Sequence, residues 1–221
     1  MEKRTKEYFE KELEDILSIH FNAKYYFKDA LYLINPNTNE EKEAALNNSI
    51  IKRIINAFWQ LGIIEIAKLF QKSKNQHYNL LNYLEQLIAN YNEYDWIKNL
   101  PKEKLENWLA LLNSAKMVAI IKKVSTQRDN YFAHTDKNPE TKFENIQLSF
   151  NEINELLELT ESIIYELEAY CLKVEMDLEI SGMEHAGSIL DALIALKEKR
   201  EVKMKKEWDD YIKEKKNKNS T

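Results

Sequence analysis

Ser149–Val174 reads SFNEINELLELTESIIYELEAYCLKV, and this stretch decides the fold class. It opens as a capping box. A Ser side chain at a helix start accepts from the amide three residues on, and a Glu at that position reaches back to the Ser amide. Ser149 and Glu152 have that spacing. Phe150, Ile153, Leu157, Thr160, Ile164, Leu167 and Cys171 then recur at three- and four-residue steps, which places them on one face of a helix. The pattern predicts a helix from Ser149 to about Val174.

The same periodicity extends outward. A first helix is predicted from about Lys3 to Leu33, with Phe9, Leu13, Ile16, Leu17, His20, Phe21, Tyr25, Lys28 and Tyr32 along one stripe. It stops at Asn35–Asn39, a run with loop chemistry. A second helix follows Asn48 or Ser49, either of which suits an N-cap. Its residues Ile50, Ile51, Ile54, Ile55, Phe58, Leu61, Ile66, Leu69 and Phe70 span a wide arc and predict a central position. Gly62 within it predicts a close helix contact, because Gly costs about 1 kcal/mol relative to Ala in a helix. After the polar break at Ser73–Asn79, Leu80, Leu81, Leu84, Leu87 and Ile88 form the next inward face. Asn99-Leu100-Pro101 marks another helix start, since Pro is tolerated in a first turn. From there Leu105, Trp108, Leu109, Leu112, Ala115, Val118, Ile121 and Val124 carry the period to Arg128.

Beyond Gly182 and Gly187 a last helix places Ile189, Leu193, Leu196, Met204, Trp208 and Tyr211 at helical spacing. It becomes densely charged after Lys197, with Lys/Arg alternating with Glu/Asp as on a solvated face laced with salt bridges. Met204, Trp208 and Tyr211 share one stripe that predicts a packing partner, a second subunit being one candidate. The expected architecture is an all-α antiparallel bundle over residues 1–178, followed by an extended C-terminal helix and charged tail over 179–221.

Composition agrees with this class. The 221 residues include only 3 Gly and 3 Pro, too few for the tight turns of a many-stranded sheet. Hydrophobic residues make up 44% of the chain, enough for a substantial core. The one cysteine, Cys171, cannot pair within the chain, which fits a reducing compartment or simple indifference to redox. Met1–Asp15 is charged throughout and holds no apolar signal-peptide core, and no run of about eighteen apolar residues would span a membrane. A cytoplasmic location is expected. The net charge of −5 argues against a broad basic surface for duplex nucleic acid while leaving room for a local basic patch.

One segment carries recognisable chemistry: Arg128-Asp129-Asn130-Tyr131-Phe132-Ala133-His134. Arg128 lies four residues after Val124 and continues its apolar face. Arg128 and His134 fall about 120° apart on an ideal helix, so they converge on one ligand only if the helix ends between them. The loop-like Thr135–Pro139 that follows allows this. The parts suit RNA cleavage by the RNA's own 2′-hydroxyl. His134 moves protons near neutral pH, Arg128 holds developing phosphoryl charge with its planar fork, and Asp129 orients the guanidinium or the imidazole. Asn130 and Asp136 are supporting groups. Lys122 and Lys123 precede the motif and are candidates for RNA phosphates, the alternative being a solvated helix face. The scheme needs no metal and no cofactor.

The extended segment RDNYFAHTDK, Arg128–Lys137, resembles the signature of the HEPN superfamily, in which an Arg, often followed by a polar residue, and a His end one helix of a small bundle. Its Ala-His-Thr-Asp ending is similar to the branch associated with abortive phage infection. Phe58-Trp59-Gln60-Leu61 through Phe70, with the break and Leu80-Leu81, also resembles that branch's central helices. The resemblance spans about residues 5–175. It implies a homodimer with both motifs in a shared cleft, metal-independent endoribonuclease activity in a bacterial phage-defence or toxin–antitoxin system, and a cognate antitoxin or other defence partner. Some HEPN proteins carry a modifiable Tyr two residues after the His. Asp136 stands there in this chain, so that mode of regulation is not implied.

The alternatives are a helical protein that binds RNA, a nucleotide or a partner without cleaving, and a helical interaction protein with a buried motif. In those readings Arg128 pairs with Asp129 or another acid, and His134 meets the last carbonyls of its helix. His20 is expected in the core or at an interface. His77 and His185 have no companions at metal-ligand spacing, so no metal site is expected.

Overall fold

The computed structural model describes residues 5–46, 48–71, 78–132, 147–172 and 185–218, and none of these is in a strand. The all-α expectation therefore holds. The helices are α1 (Lys6–Ile34), α2 (Asn39–Leu46), α3 (Ser49–Phe70), α4 (Leu80–Ala89), α5 (Lys102–Leu112), α6 (Ala115–Phe132), α7 (Phe150–Leu167) and α8 (His185–Lys218). Short 3₁₀ turns at Tyr91–Glu93 and Asp95–Ile97 join α4 to α5, and α7 runs on through a π-helical turn at Glu168–Leu172. No helix among the described residues is long and apolar enough to cross a membrane. Met1–Lys28 with Ala57–Ser181 form one compact unit, and Asp29–Asn56 with Gly182–Thr221 form another.

The first unit holds the main core. Leu13 and Ile16 of α1, Ile63, Ile66 and Leu69 of α3, Leu84 and Leu87 of α4, Leu105 and Leu112 of α5, Ile120 and Val124 of α6, and Ile153, Ile163, Ile164 and Leu167 of α7 belong to one buried cluster. Local chemistry sets the helix ends. Asn79 is fully buried. Its side chain accepts from the Asn82 amide at 3.1 Å to start α4 and donates to the Gln71 carbonyl at 2.8 Å. The Ser149–Glu152 capping box is formed in full at the start of α7. Asn48 caps α3, its Oδ1 accepting from the Ile50 amide at 2.9 Å.

Four details differ from the expected pattern. The inward stripe of α1 leaves the expected line after His20: Ala23, Phe27, Ala30 and Leu33 are buried, Phe21, Tyr25 and Tyr32 are half-buried, and Lys28 is exposed. Ala23 and Ala30 are fully buried, although the larger aromatics dominate the sequence pattern. On α3 the arc is narrower than expected, with Ile50 and Leu61 exposed. The continuous period from Leu105 to Arg128 is two helices. Asn113 donates its Nδ2 to the Leu109 carbonyl at 2.9 Å, closing α5, and the Ser114 carbonyl accepts the Val118 amide at 2.9 Å as α6 begins. The Asn113 side chain competes with the helix ladder at that point. Beyond the break Ile120 and Val124 are buried while Val118 is exposed.

The fourth detail lies in the second unit. Within Asn35–Asn39, expected as loop only, Thr38 begins α2. The Glu41 amide donates to Thr38 Oγ1 at 3.2 Å, and Glu41 Oε2 accepts from the Thr38 amide at 2.8 Å. Glu41 of this second capping box is buried although Thr38 is exposed, and the Tyr32 hydroxyl donates to Glu41 at 2.5 Å. That hydroxyl, followed by the Thr38 amide, holds the Glu41 carboxyl below the usual carboxylate range. The helix α2 packs against α8, where Ala186 and Leu190 are buried.

Candidate active site

The last turns of α6 carry the described part of the motif. The inner face of this helix, Ile120 and Val124, is locked into the core, so Arg128 one turn on is half-buried. Its side chain is 23% exposed against 60% for Asp129. Arg128 Nε donates to Asp129 Oδ1 at 3.1 Å, and Nη2 bonds the same oxygen. Asp129 thus lies against the guanidinium, one of the two roles foreseen for it. The backbone of Asn130 continues α6. His134 and Asp136 lie outside the described residues, as does His77.

The two lysines part company. Lys122 is exposed, whereas Lys123 is half-buried and paired with Glu152 of α7. Lys123 is the largest influence holding the Glu152 carboxyl below the usual carboxylate range, with the Ser149 amide next. Glu152 thereby joins the start of α7 to α6 while completing the capping box. For Lys123 to meet a phosphate it must leave this carboxylate. Lys122 needs no such exchange.

Trp59 of α3 ties α6 to α7 beside the motif, a contact that the sequence does not announce. Its indole Nε1 donates to Gln127 Oε1 at 3.2 Å. Its ring meets Phe150 edge-on, with centroids 4.8 Å apart at 70°. One side chain of α3 therefore touches the residue preceding Arg128 and the first residue of α7. The Lys123–Glu152 pair makes a second tie between the same two helices. Both helix ends that bracket residues 133–146 are thus fixed to the core, and Arg128 sits at one of them. The only sequence signal for Trp59 is its place in the Phe58–Leu61 stretch; its partners are distant in the chain.

His20 occupies a different polar site inside the first unit. It is fully buried, as expected, with Nε2 3.6 Å from Glu161 Oε2. Lys24 Nζ lies 2.7 Å from both Glu161 oxygens. His20 first, and Lys24 with it, draw the Glu161 carboxyl down to about 2 against the opposing effect of burial. Buried Glu168 goes the other way, raised by desolvation and then by Glu14.

An aligned end of a packed helix, with Arg128 seated on it and Asp129 holding its fork, is a fixed cation suited to phosphate. No curated protein and no solved structure matches the chain significantly. The AbiU2 family of HEPN proteins matches residues 2–169, the stretch that contains α1 to α7 and the motif. On that match the chain belongs to the AbiU2 family of abortive-infection HEPN proteins.

Proposed function

We propose that the protein is a metal-independent endoribonuclease of a phage-defence system, acting as a homodimer with its Arg128–His134 motifs in a shared cleft. The observation that carries this reading is the position of Arg128. It is half-buried, not sealed in the core, at the end of a core-anchored helix, within a chain of the HEPN class; its bond to Asp129 is common to this reading and the non-cleaving alternatives.

In the proposed reaction the 2′-oxygen of RNA attacks the adjacent phosphorus as its proton passes to a base. The bond from phosphorus to the 5′-oxygen breaks, and that oxygen takes up a proton. The products carry a 2′,3′-cyclic phosphate and a 5′-hydroxyl. His134 serves as the proton-transfer group, whose ordinary pKa lies near neutral. Arg128 binds the phosphoryl oxygens and stabilises the charge they gain in the transition state. Asp129 keeps the fork in place, and exposed Lys122 contacts a flanking phosphate. One motif supplies one proton-transfer group where the reaction uses a base and an acid, which is the chemical reason for two copies in one cleft.

The test is cleavage of end-labelled total RNA and tRNA by purified protein in EDTA. Wild type is expected to leave 2′,3′-cyclic phosphate ends, and Arg128→Ala and His134→Ala are each expected to lose at least about a hundredfold in rate, the scale of one proton-transfer or oxyanion group. A folded wild-type protein that binds these RNAs without cutting them would favour the binding alternative. Cutting that survives both substitutions would sink the assignment of the motif.

A further inference from the structure

Among the described residues two Lys–Glu pairs cross from α6 to α7, Lys116–Glu155 and Lys123–Glu152. Glu152, nearer the motif, belongs also to the capping box. Its two oxygens divide the work. Oε2 accepts from the Ser149 amide at 2.9 Å and from the Ser149 hydroxyl at 3.1 Å, while Oε1 takes the Lys123 ammonium. A carboxylate fixed in this way meets the ammonium with no ordering of its own, which strengthens a contact. A phosphate of single-stranded RNA must first be ordered, and a lysine offers it a point charge without the fork that would offset this. The fixed carboxylate is therefore the better-held partner. Lys123 nonetheless stands where RNA would pass on the nuclease reading. It adjoins Lys122 and lies five residues before Arg128, about 7.5 Å along the helix. Its side chain is 34% exposed, so the ammonium reaches solvent once released.

We infer that Glu152 withholds Lys123 from RNA and so limits the number of phosphates that each copy grips at the end of α6. This rests on the nuclease reading of the same site. The two tasks of Glu152 separate in one substitution. Gln serves at the Glu position of a capping box, so Glu152→Gln keeps the start of α7 and removes the charge that holds Lys123. The freed lysine adds one phosphate contact per copy. Each contact on single-stranded RNA contributes about 0.7 to the fall of log affinity with log salt, so two copies steepen the slope by about 1.4. A pair that only fastens α6 to α7 predicts no such gain, since loosening the helices adds no phosphate contact.

The test is anisotropy titration of a labelled single-stranded RNA between about 50 and 200 mM salt, with the full chain carrying His134→Ala so that the RNA stays whole. Adding Glu152→Gln should steepen the slope from about −3 to between about −4 and −5. Adding Lys123→Ala to that variant should return it to about −3. Lys123→Ala without Glu152→Gln should leave the slope where it was, because a withheld lysine makes no contact to lose. This arm tests the inference even where Glu152→Gln does not fold. Glu155→Gln removes the same charge from α7, but its partner Lys116 stands about 18 Å from Arg128 along α6, so no change is expected. A slope unmoved by Glu152→Gln in a folded protein overturns the inference. So does flattening by Lys123→Ala alone, which would put that lysine on the RNA already, or an equal steepening by Glu155→Gln, which would be an effect of net charge. In each of these cases a slope that Lys122→Ala flattens leaves the nuclease reading standing. A folded parent that binds no RNA brings down both.

Discussion

The most consequential single residues outside the motif are two glutamates of the α7 line with opposite titration. Glu161 is drawn down to about 2 by His20 and Lys24. A carboxyl whose folded pKa is depressed contributes stability that is present above its ordinary value near 4.5 and lost as pH falls toward the folded value. The window is thus about pH 4.5 to 2, and the contribution at neutral pH is about 3 kcal/mol. Glu168, buried and raised, has the reverse sign: it opposes folding when charged, and mild acidification relieves it. Urea unfolding should therefore show Glu161→Gln costing about 3 kcal/mol at pH 7 and less than half of that at pH 3. Glu168→Gln should stabilise the protein at pH 7 and abolish any gain on going to pH 5. A Glu161→Gln penalty that stays constant from pH 7 to 3 would show that packing, and not the ion cluster, is what was lost.

Among the elements, α3 bears the closest contact. A Cβ built on Gly62 would lie 2.8 to 2.9 Å from three atoms of the Phe27 ring, so the glycine is there for approach, as its place in a strongly apolar helix suggests. Phe27 is buried and stands edge-on to Trp59, with centroids 5.3 Å apart, which leaves the ring little room to retreat. Gly62→Ala gains about 1 kcal/mol in helix propensity and incurs about 1–3 kcal/mol of overpacking. The expected net effect is a loss of about 1 kcal/mol, measured by denaturant unfolding, with Phe27→Leu in the same chain recovering part of it. A stabilised single variant would mean that the ring moves freely. Elements of this kind were legible where one face is strongly apolar or a cap is local, as with Ser149–Glu152 and the Leu80–Leu87 face. The Thr38–Glu41 box has the same spacing, yet it heads an eight-residue helix with no apolar stripe, so hydrophobic period could not reveal it. The break at Asn113-Ser114 was hidden by a period that happens to continue in phase across two helices. At the site, Arg128 and Asp129 were readable because they adjoin in sequence, whereas the Trp59–Gln127 bond joins residues 68 apart.

For the molecule as a whole, charge limits how the proposed nuclease can hold RNA. The formal net charge is −5 with only 32 Lys and Arg among 221 residues, and of the two lysines preceding the motif one is engaged by Glu152. On the proposed reading, Arg128 and Lys122 from each of two copies meet about four phosphates. Each phosphate neutralised on single-stranded RNA contributes about 0.7 to the fall of log affinity with log salt. Anisotropy titration of a labelled single-stranded RNA with the folded His134→Ala protein, between about 50 and 200 mM salt, should therefore give a slope near −3. Lys122→Ala should flatten it to about −1.5, because the substitution removes one contact per copy. A slope of about −6 or steeper for the His134→Ala protein would require roughly twice as many phosphate contacts. RNA would then be gripped by an extended basic surface and not at the end of α6 alone. A slope unchanged by Lys122→Ala would place that lysine outside the interface while leaving Arg128 to carry the phosphate.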